Sequence, residues 1–310
     1  MEEAGPTELS PSAQRSDEQK RGCGRSYACR AVYAHRGRAV ATAKGRVRIG
    51  VAATASFGAE VLTRLAARDE LAFCLTRPDR PRGRGRRVAP PPAKEAAERL
   101  GVPVLQPERL SPELALDADV VVVCAYGVLI PAGLLERGLW LNVHPSLLPR
   151  WRGAAPVERA IMAGDRETGV TIHRTIAELD AGPIAAQRAF AIDADDDAGA
   201  VYAKAAPLAA ELLDEVLPEP DFRPQPAEGV TYAERITAPD RRLDWSWPAE
   251  QVVNRVRALS PHIGARAELD GRPVIVWRAR VVDARAEPVE VQPEGGRRMS
   301  YDDFRRGLRA

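Results

Sequence analysis

The run Val120-Val121-Val122-Val123-Cys124-Ala125 constrains the fold more than any other feature of the chain. A segment that is apolar at every position buries both of its faces, and β-branched side chains favour extended backbone. The run is too short to cross a bilayer, and no stretch of about 18 apolar residues exists elsewhere, so no membrane span is expected. Val47 to Ala52, Leu71 to Thr76, Leu139 to His144, Gly169 to Thr175 and the short Val102 to Leu105 read as companion strands. Helical spacing alternates with them at Ala59 to Ala67, Ala93 to Leu100, Pro131 to Arg137, Pro156 to Ala163 and Ala198 to Leu217. That alternation predicts an α/β fold: a parallel sheet with helices on both faces.

Four segments follow from composition. Residues 1–45 are polar and aperiodic, which reads as a disordered extension or a mis-assigned start. Glu2, Glu3, Glu8, Asp17 and Glu18 argue against a transit peptide there. Residues 46–217 form the first folded unit. Residues 218–226 hold four prolines in nine positions and read as a linker. Residues 227–310 are expected to be mostly β, with a helix within Trp247 to Leu259 and strands at Ala265 to Leu269, Val274 to Val282 and Val289 to Val291. The net charge of +2 excludes a wholesale polycation but not a local basic patch. Cys74 and Cys124 lie in apolar runs and read as buried, reduced core residues, while Cys23, Cys29 and His35 match no common zinc spacing. A reducing, cytoplasmic compartment fits.

Four groups of residues carry chemistry. Asn142 and His144 are two apart on a strand, so they share a face, and Pro145 ends the strand at the sheet edge where open α/β sheets bind ligands. An amide donor and an imidazole there suit a developing oxyanion, where one donor is typically worth about 10²- to 10³-fold in rate. Alone, the pair reads better as groups that satisfy strand-end backbone. Asp180, in Leu179-Asp180-Ala181-Gly182, can accept a proton or hold His144 charged, or can simply close an Asp-x-Gly turn. Arg77 to Arg87 crowds six arginines and one acid onto a Pro/Gly loop, which is either a phosphate-binding surface or a solvated basic loop. Arg150-Trp151-Arg152 enters a helix and offers stacking and anion contacts.

These groups occur in one order. Pro78-Asp79-Arg80-Pro81-x-Gly83-Arg84-Gly85-Arg86, then Asn142-Val143-His144-x-Ser146-Leu147-Leu148-Pro149-Arg150-Trp151-Arg152-Gly153-Ala154-Ala155-Pro156, then Gly164-Asp165-x-Glu167-Thr168-Gly169-Val170-Thr171-Ile172, then Leu179-Asp180-x-Gly182-Pro183, resembles the methionyl-tRNA formyltransferase family of folate-dependent enzymes. The resemblance implies a Rossmann-like formyltransferase domain followed by a β-barrel of the oligonucleotide-binding type. It implies transfer of the formyl group of 10-formyltetrahydrofolate to the amine of initiator methionyl-tRNA, by a monomer and without a metal. It puts the catalytic Asn, His and Asp on Asn142, His144 and Asp180. The folate-contacting loop falls on Ser146, Leu147, Leu148 and Pro149. The tRNA-contacting arginines fall on Arg80, Arg82, Arg84, Arg86 and Arg87, with Arg150 and Arg152 beside the site. The attacking group is the substrate's own amine, so no Ser or Cys nucleophile is required.

The sequence departs from the family pattern in three places. Val51 to Gly58 replaces the usual Gly-Thr-Pro-x-Phe opening, and Ala181 stands where threonine is usual. Only Ala284 to Pro288 stands where the family places further strands, so the barrel is expected to be short by about two or three strands and to have open edges. Two other functions compete. One is a formyltransferase for a small amine such as glycinamide ribonucleotide or an amino sugar. The other is a tRNA-binding homologue with impaired catalysis.

Overall fold

A computed structural model of the chain describes residues 47–82 and 87–309. The expected extension at residues 1–45, with Cys23, Cys29 and His35, lies outside the described residues, as do Arg84 and Arg86.

The chain opens with β1 (Ile49–Ala53), α1 (Ser56–Ala66) and β2 (Leu71–Leu75). A ribbon of β3 (Arg80–Arg82) and β4 (Arg87–Ala89) follows, then α2 (Pro92–Arg99), β5 (Val104–Leu105), β6 (Val120–Cys124), α3 (Ala132–Leu135) and β7 (Leu139–His144). Strands β5, β2, β1, β6 and β7 lie side by side and parallel. The valine run is β6, buried at every residue in the middle of the sheet. A fully buried valine contributes roughly 1.5–3 kcal/mol, so β6 anchors both layers. Val122 packs with Val61, Leu62, Leu212 and Leu213 on one face, while Val121 and Val123 pack with Phe73, Leu75 and Trp140 on the other. The altered first turn is held by Thr54 Oγ1, which donates to the Tyr126 carbonyl at 2.8 Å. Gly58 lets α1 approach β6, because a Cβ there would lie 2.3 Å from the Cys124 carbonyl oxygen.

The next segment comprises β8 (Arg152–Gly153), α4 (Pro156–Ala163), β9 (Glu167–Arg174), β10 (Ile184–Ala191), α5 (Ala198–Val216) and β11 (Tyr232–Ala233). The five parallel strands are the expected sheet, and two antiparallel strands extend it at one edge. β9 runs antiparallel to β7, and β10 runs antiparallel to β9, so the seven-stranded sheet is mixed, in the order β10-β9-β7-β6-β1-β2-β5. The apolar pattern of β9 carries no direction, and β10 is alanine-rich with an exposed stretch at Gln187 to Ala189, which gives little strand signal. The basic loop differs from expectation. Its flanks pair as a ribbon, with Arg80 opposite Ala89 and Arg82 opposite Arg87. Lys94 Nζ bonds both Asp79 oxygens, at 3.0 and 2.8 Å, and Gln106 Nε2 donates to Asp79 and to the Arg77 carbonyl, which fixes the ribbon's base.

The C-terminal part contains α6 (Ala249–Leu259), β12 (Ala265–Leu269), β13 (Arg272–Val282), β14 (Arg285–Pro293), β15 (Met299–Ser300) and α7 (Tyr301–Arg309). The strands form one antiparallel sheet in that order, closed over α6 and Phe304 of α7 by Val256, Leu259, Val274, Val276 and Val291. No pairing joins β12 to β15 among the described residues, so the four-stranded sheet is open. The expected strand Val289 to Val291 is longer, because Ala284 to Pro288 is itself a turn and strand start. Asp283 and Ala284 both have positive φ, 48° and 60°, the backbone of a tight two-residue hairpin, and Val282 pairs directly with Arg285. Among the described residues, no helix is long and apolar enough to cross a membrane.

Candidate functional site

The site forms at the carboxyl end of β7. Val123 of β6 lies beside Asn142, and β9 lies on the other side, with His173 opposite Asn142 and Thr171 opposite His144. Directly opposed residues of an antiparallel pair share a face. The β7–β9 pairing therefore puts a second imidazole next to the expected pair.

Asp180 closes the group from the turn between β9 and β10. Its φ of 47° aims the side chain back at β7. Oδ1 accepts from Asn142 Nδ2 at 3.0 Å, and Oδ2 accepts from the Gly153 amide at 2.8 Å. His144 Nδ1 and His173 Nε2 stand 3.7 and 3.6 Å from this carboxylate. Burial alone would raise the Asp180 carboxyl, but the rings of His173 and His144 and the Gly153 amide outweigh it and hold it at about 2. Gly182 makes the turn possible, since a Cβ there would sit 1.7 Å from the Arg174 carbonyl oxygen.

His144 is buried, and its Nε2 lies 2.8 Å from the Trp151 carbonyl. A carbonyl only accepts, so Nε2 carries the hydrogen and Nδ1 holds the lone pair on the Asp180 side. Burial pushes the His144 pKa below its ordinary range, and the Asp180 charge opposes without reversing it. At rest the ring is neutral near neutral pH, whereas the sequence suggested a protonated one. Trp151 turns its carbonyl to the ring by adopting a φ of 65°, a conformation that costs a bulky residue roughly 1–2 kcal/mol. Three contacts hold it: its amide donates to Thr231 Oγ1 at 2.9 Å, its indole donates to Asp165 at 2.8 Å, and the Arg150 guanidinium lies 4.4 Å over its ring.

The remaining expected residues divide. Ser146 is buried and donates to the Arg150 carbonyl at 2.7 Å. Leu148 is buried, its amide donating to Thr171 Oγ1 and its carbonyl accepting from Gln187. Leu147 lies over Gly169, where a Cβ would be 2.4 Å from its side chain. The Pro149 carbonyl accepts from the Thr231 amide at 3.3 Å. The loop 146–149 is thus a fixed wall whose polar groups are largely used within the protein. Arg80 and Arg87 are exposed on the ribbon, and Arg82 lies in β3. Arg150 pairs with both Asp165 oxygens, at 3.0 and 2.7 Å. Arg152 is drawn inward at 8% exposure, where Gln225 accepts from its Nε and Nη2 at 3.1 and 2.7 Å, so its guanidinium is committed to the fold.

Two neighbours of the site had no signature among the sequence motifs. His173 follows Thr171 by two positions, so the polar alternation on β9 was the available signal. Gln225 lies within the proline-rich linker, yet its Nε2 donates to the carbonyls of Asp180 and Gly182 at 2.7 and 2.8 Å. Nothing local in the sequence marks it.

A formyl transferase profile matches residues 46–217, and a formyl transferase C-terminal domain profile matches residues 235–289. The methionyl-tRNA formyltransferase of Halorhodospira halophila is 42% identical, with 84% of this chain and 96% of that protein covered. The chain belongs to the formyl transferase family. A second relative, the methionyl-tRNA formyltransferase of Paracoccus denitrificans, is also 42% identical, over 82% of this chain and 95% of its own. Among solved formyl transferase folds, the methionyl-tRNA formyltransferase from Clostridium thermocellum superposes with a TM-score of 0.55 at 15% identity, covering 80% of this chain and 98% of its own. HypX from Aquifex aeolicus, solved in complex with tetrahydrofolic acid, superposes with a TM-score of 0.58 at 18% identity, covering 84% of this chain and 47% of its own. The two structural likenesses concern the fold.

Proposed function

We propose that the chain transfers the formyl group of 10-formyltetrahydrofolate to the α-amine of initiator methionyl-tRNA, with Asn142, His144 and Asp180 as its catalytic residues. One observation carries the chemistry: an ionised Asp180 bonded to Asn142 and facing the free nitrogen of a neutral His144, at the ligand-binding edge of the sheet. The methionyl-tRNA acceptor is supported by the relatives at 42% identity over most of both chains.

The residues act on the amine. His144 Nδ1 accepts the proton that the attacking amine sheds, and the carboxylate of Asp180 stabilises the imidazolium so formed. That cation then lies near the negative charge developing on the formyl oxygen. The folate co-substrate supplies the formyl group. Its flat ring suits an apolar surface, and Leu147 and Pro149, the partly exposed residues of the loop 146–149, offer one. Arg80, Arg82, Arg84, Arg86 and Arg87 are the residues for the acceptor-end phosphates. A groove of about 830 Å³ on the C-terminal sheet supports RNA as the partner, since Trp245, Trp247 and Tyr301 line it beside Arg280, Arg285 and Arg305.

The test is a comparison of acceptors. With 10-formyltetrahydrofolate as donor, the protein is expected to formylate charged initiator tRNA and to leave glycinamide ribonucleotide and amino sugars unformylated. Transfer to a small amine alone would overturn the acceptor. RNA binding without any transfer would overturn the enzyme assignment.

A further inference from the structure

The segment that leads from α5 to the C-terminal part runs back along the site. Arg223 bridges to Ile184 of β10, and Gln225 donates to the carbonyls of Asp180 and Gly182. Thr231 then reaches the loop after β7. From there β11 pairs in parallel with β8, with Tyr232 opposite Arg152 and Ala233 opposite Gly153. Residues 223–233 are thus a strap laid against both the Asp180 turn and the loop that carries Trp151.

The backbone groups of residues 151–154 divide between the strap and the site. The Arg152 amide donates to the Thr231 carbonyl at 2.9 Å, and the Ala154 amide to the Ala233 carbonyl at 2.8 Å. In extended backbone, successive residues turn their polar groups to opposite sides. The groups between these two amides therefore face the other way. They are the Gly153 amide, which donates to Asp180 Oδ2 at 2.8 Å, and the Trp151 carbonyl, which accepts from His144 Nε2 at 2.8 Å. A slip of one residue between β8 and β11 would exchange the two sets. Gly153 lets the strap come this close, since a Cβ there would stand 2.6 Å from the Ala233 carbonyl oxygen.

Trp151 is the strained point of the segment. At its φ of 65° the carbonyl goes to His144 while the amide goes to the strap, where Thr231 Oγ1 accepts at 2.9 Å. Thr231 is itself fixed on both sides. Its amide donates to the Pro149 carbonyl at 3.3 Å, and its carbonyl accepts from Arg152. Removing the hydroxyl takes away the acceptor of the Trp151 amide, and with it a support of the left-handed conformation.

We propose that Thr231 is a positioning residue: through the Trp151 amide it holds the Trp151 carbonyl on His144, and so keeps the ring hydrogen on Nε2 and the bare Nδ1 beside Asp180. The inference rests on the formyl-transfer reading of this site. Thr231 acts through the tautomer of His144, because a ring with its hydrogen on Nδ1 has no lone pair there for the proton of the amine. The strap is in this way part of the catalytic frame as well as the connection to the C-terminal part.

Two substitutions separate this role from packing. Thr231→Val keeps the shape and removes the acceptor, whereas Thr231→Ser keeps the hydroxyl. Thr231→Val is expected to lower kcat roughly tenfold to hundredfold with an unchanged KM for the folate donor, and Thr231→Ser to stay near the parent. The nitrogen-15 shifts of the His144 ring, assigned against His144→Ala, are expected to show a hydrogen on Nε2 in the parent and a mixture of tautomers in Thr231→Val. A kcat of Thr231→Val within twofold of the parent would overturn the proposal, as would equal losses in both variants or an unchanged His144 tautomer. If Thr231→Val does not fold, the parent spectrum and Thr231→Ser answer: a hydrogen on Nδ1 in the parent, or a Thr231→Ser variant slowed tenfold or more, overturns the proposal. A parent protein that formylates no amine sinks the underlying reading, which is a different result from an active parent with an indifferent Thr231.

Discussion

Replacing Asp180 by asparagine tests the electrostatics of the site through stability as well as rate. In the native protein the carboxyl group is held at about 2, against an ordinary 3.8, and its side chain is only 11% exposed. At about 1.36 kcal/mol per unit, that difference corresponds to about 2 kcal/mol of native-state stabilisation when the group is ionised. The sign follows from the direction of the shift. A depressed folded-state pKa stabilises above the unfolded-state value, and that stabilisation is lost as pH falls through the folded-state value. Asparagine resembles the protonated acid: it keeps one acceptor and turns a donor toward either Asn142 or the Gly153 amide. Urea denaturation from about pH 7 down to about pH 3 should therefore show Asp180→Asn less stable by about 2 kcal/mol at the upper end, with the gap narrowing below about pH 4. A gap that is absent, or that stays constant over this range, would refute the reasoning.

Three further outcomes are expected. Gln225→Ala removes both bonds to the Asp180 turn and leaves the Arg152 guanidinium short of its acceptor, so a loss of about 1–3 kcal/mol in thermal or urea unfolding should accompany a fall in kcat. Gly182→Ala forces a Cβ against the Arg174 carbonyl oxygen and should cost about 1–3 kcal/mol and most formylation activity, with folate affinity read separately by titration. Arg80→Ala with Arg87→Ala should raise KM for tRNA and reduce the slope of log affinity against log salt by about 0.7–0.9 for each phosphate no longer neutralised, with folate KM unchanged.

Much of the fold was legible because burial writes itself into residue type. β7 and α4 run as expected, from Leu139 to His144 and from Pro156 to Ala163, and the valine run is the central strand β6. Strand direction was not legible, because Val170 and Ile172 are apolar whichever way β9 runs. The half-exposed β10 was hidden for a similar reason, since its alanines have weak preference for any backbone. At the site, motif order marked Asn142, His144 and Asp180. It could not mark Gln225, whose role depends on residues 218–226 passing back beside the turn at Gly182. Nor could it reveal that Arg152 faces inward or that burial overrides Asp180 at His144, since both are properties of packing.

The central claim is that the site around Asn142, His144 and Asp180 formylates methionyl-tRNA. Its most direct measurement is the rate of formyl transfer from 10-formyltetrahydrofolate to charged initiator tRNA by the parent protein beside Asn142→Ala and His144→Ala. An active parent is expected, with variants slowed by about hundredfold or more that still bind both substrates. An inactive parent, or variants as fast as the parent, would contradict it.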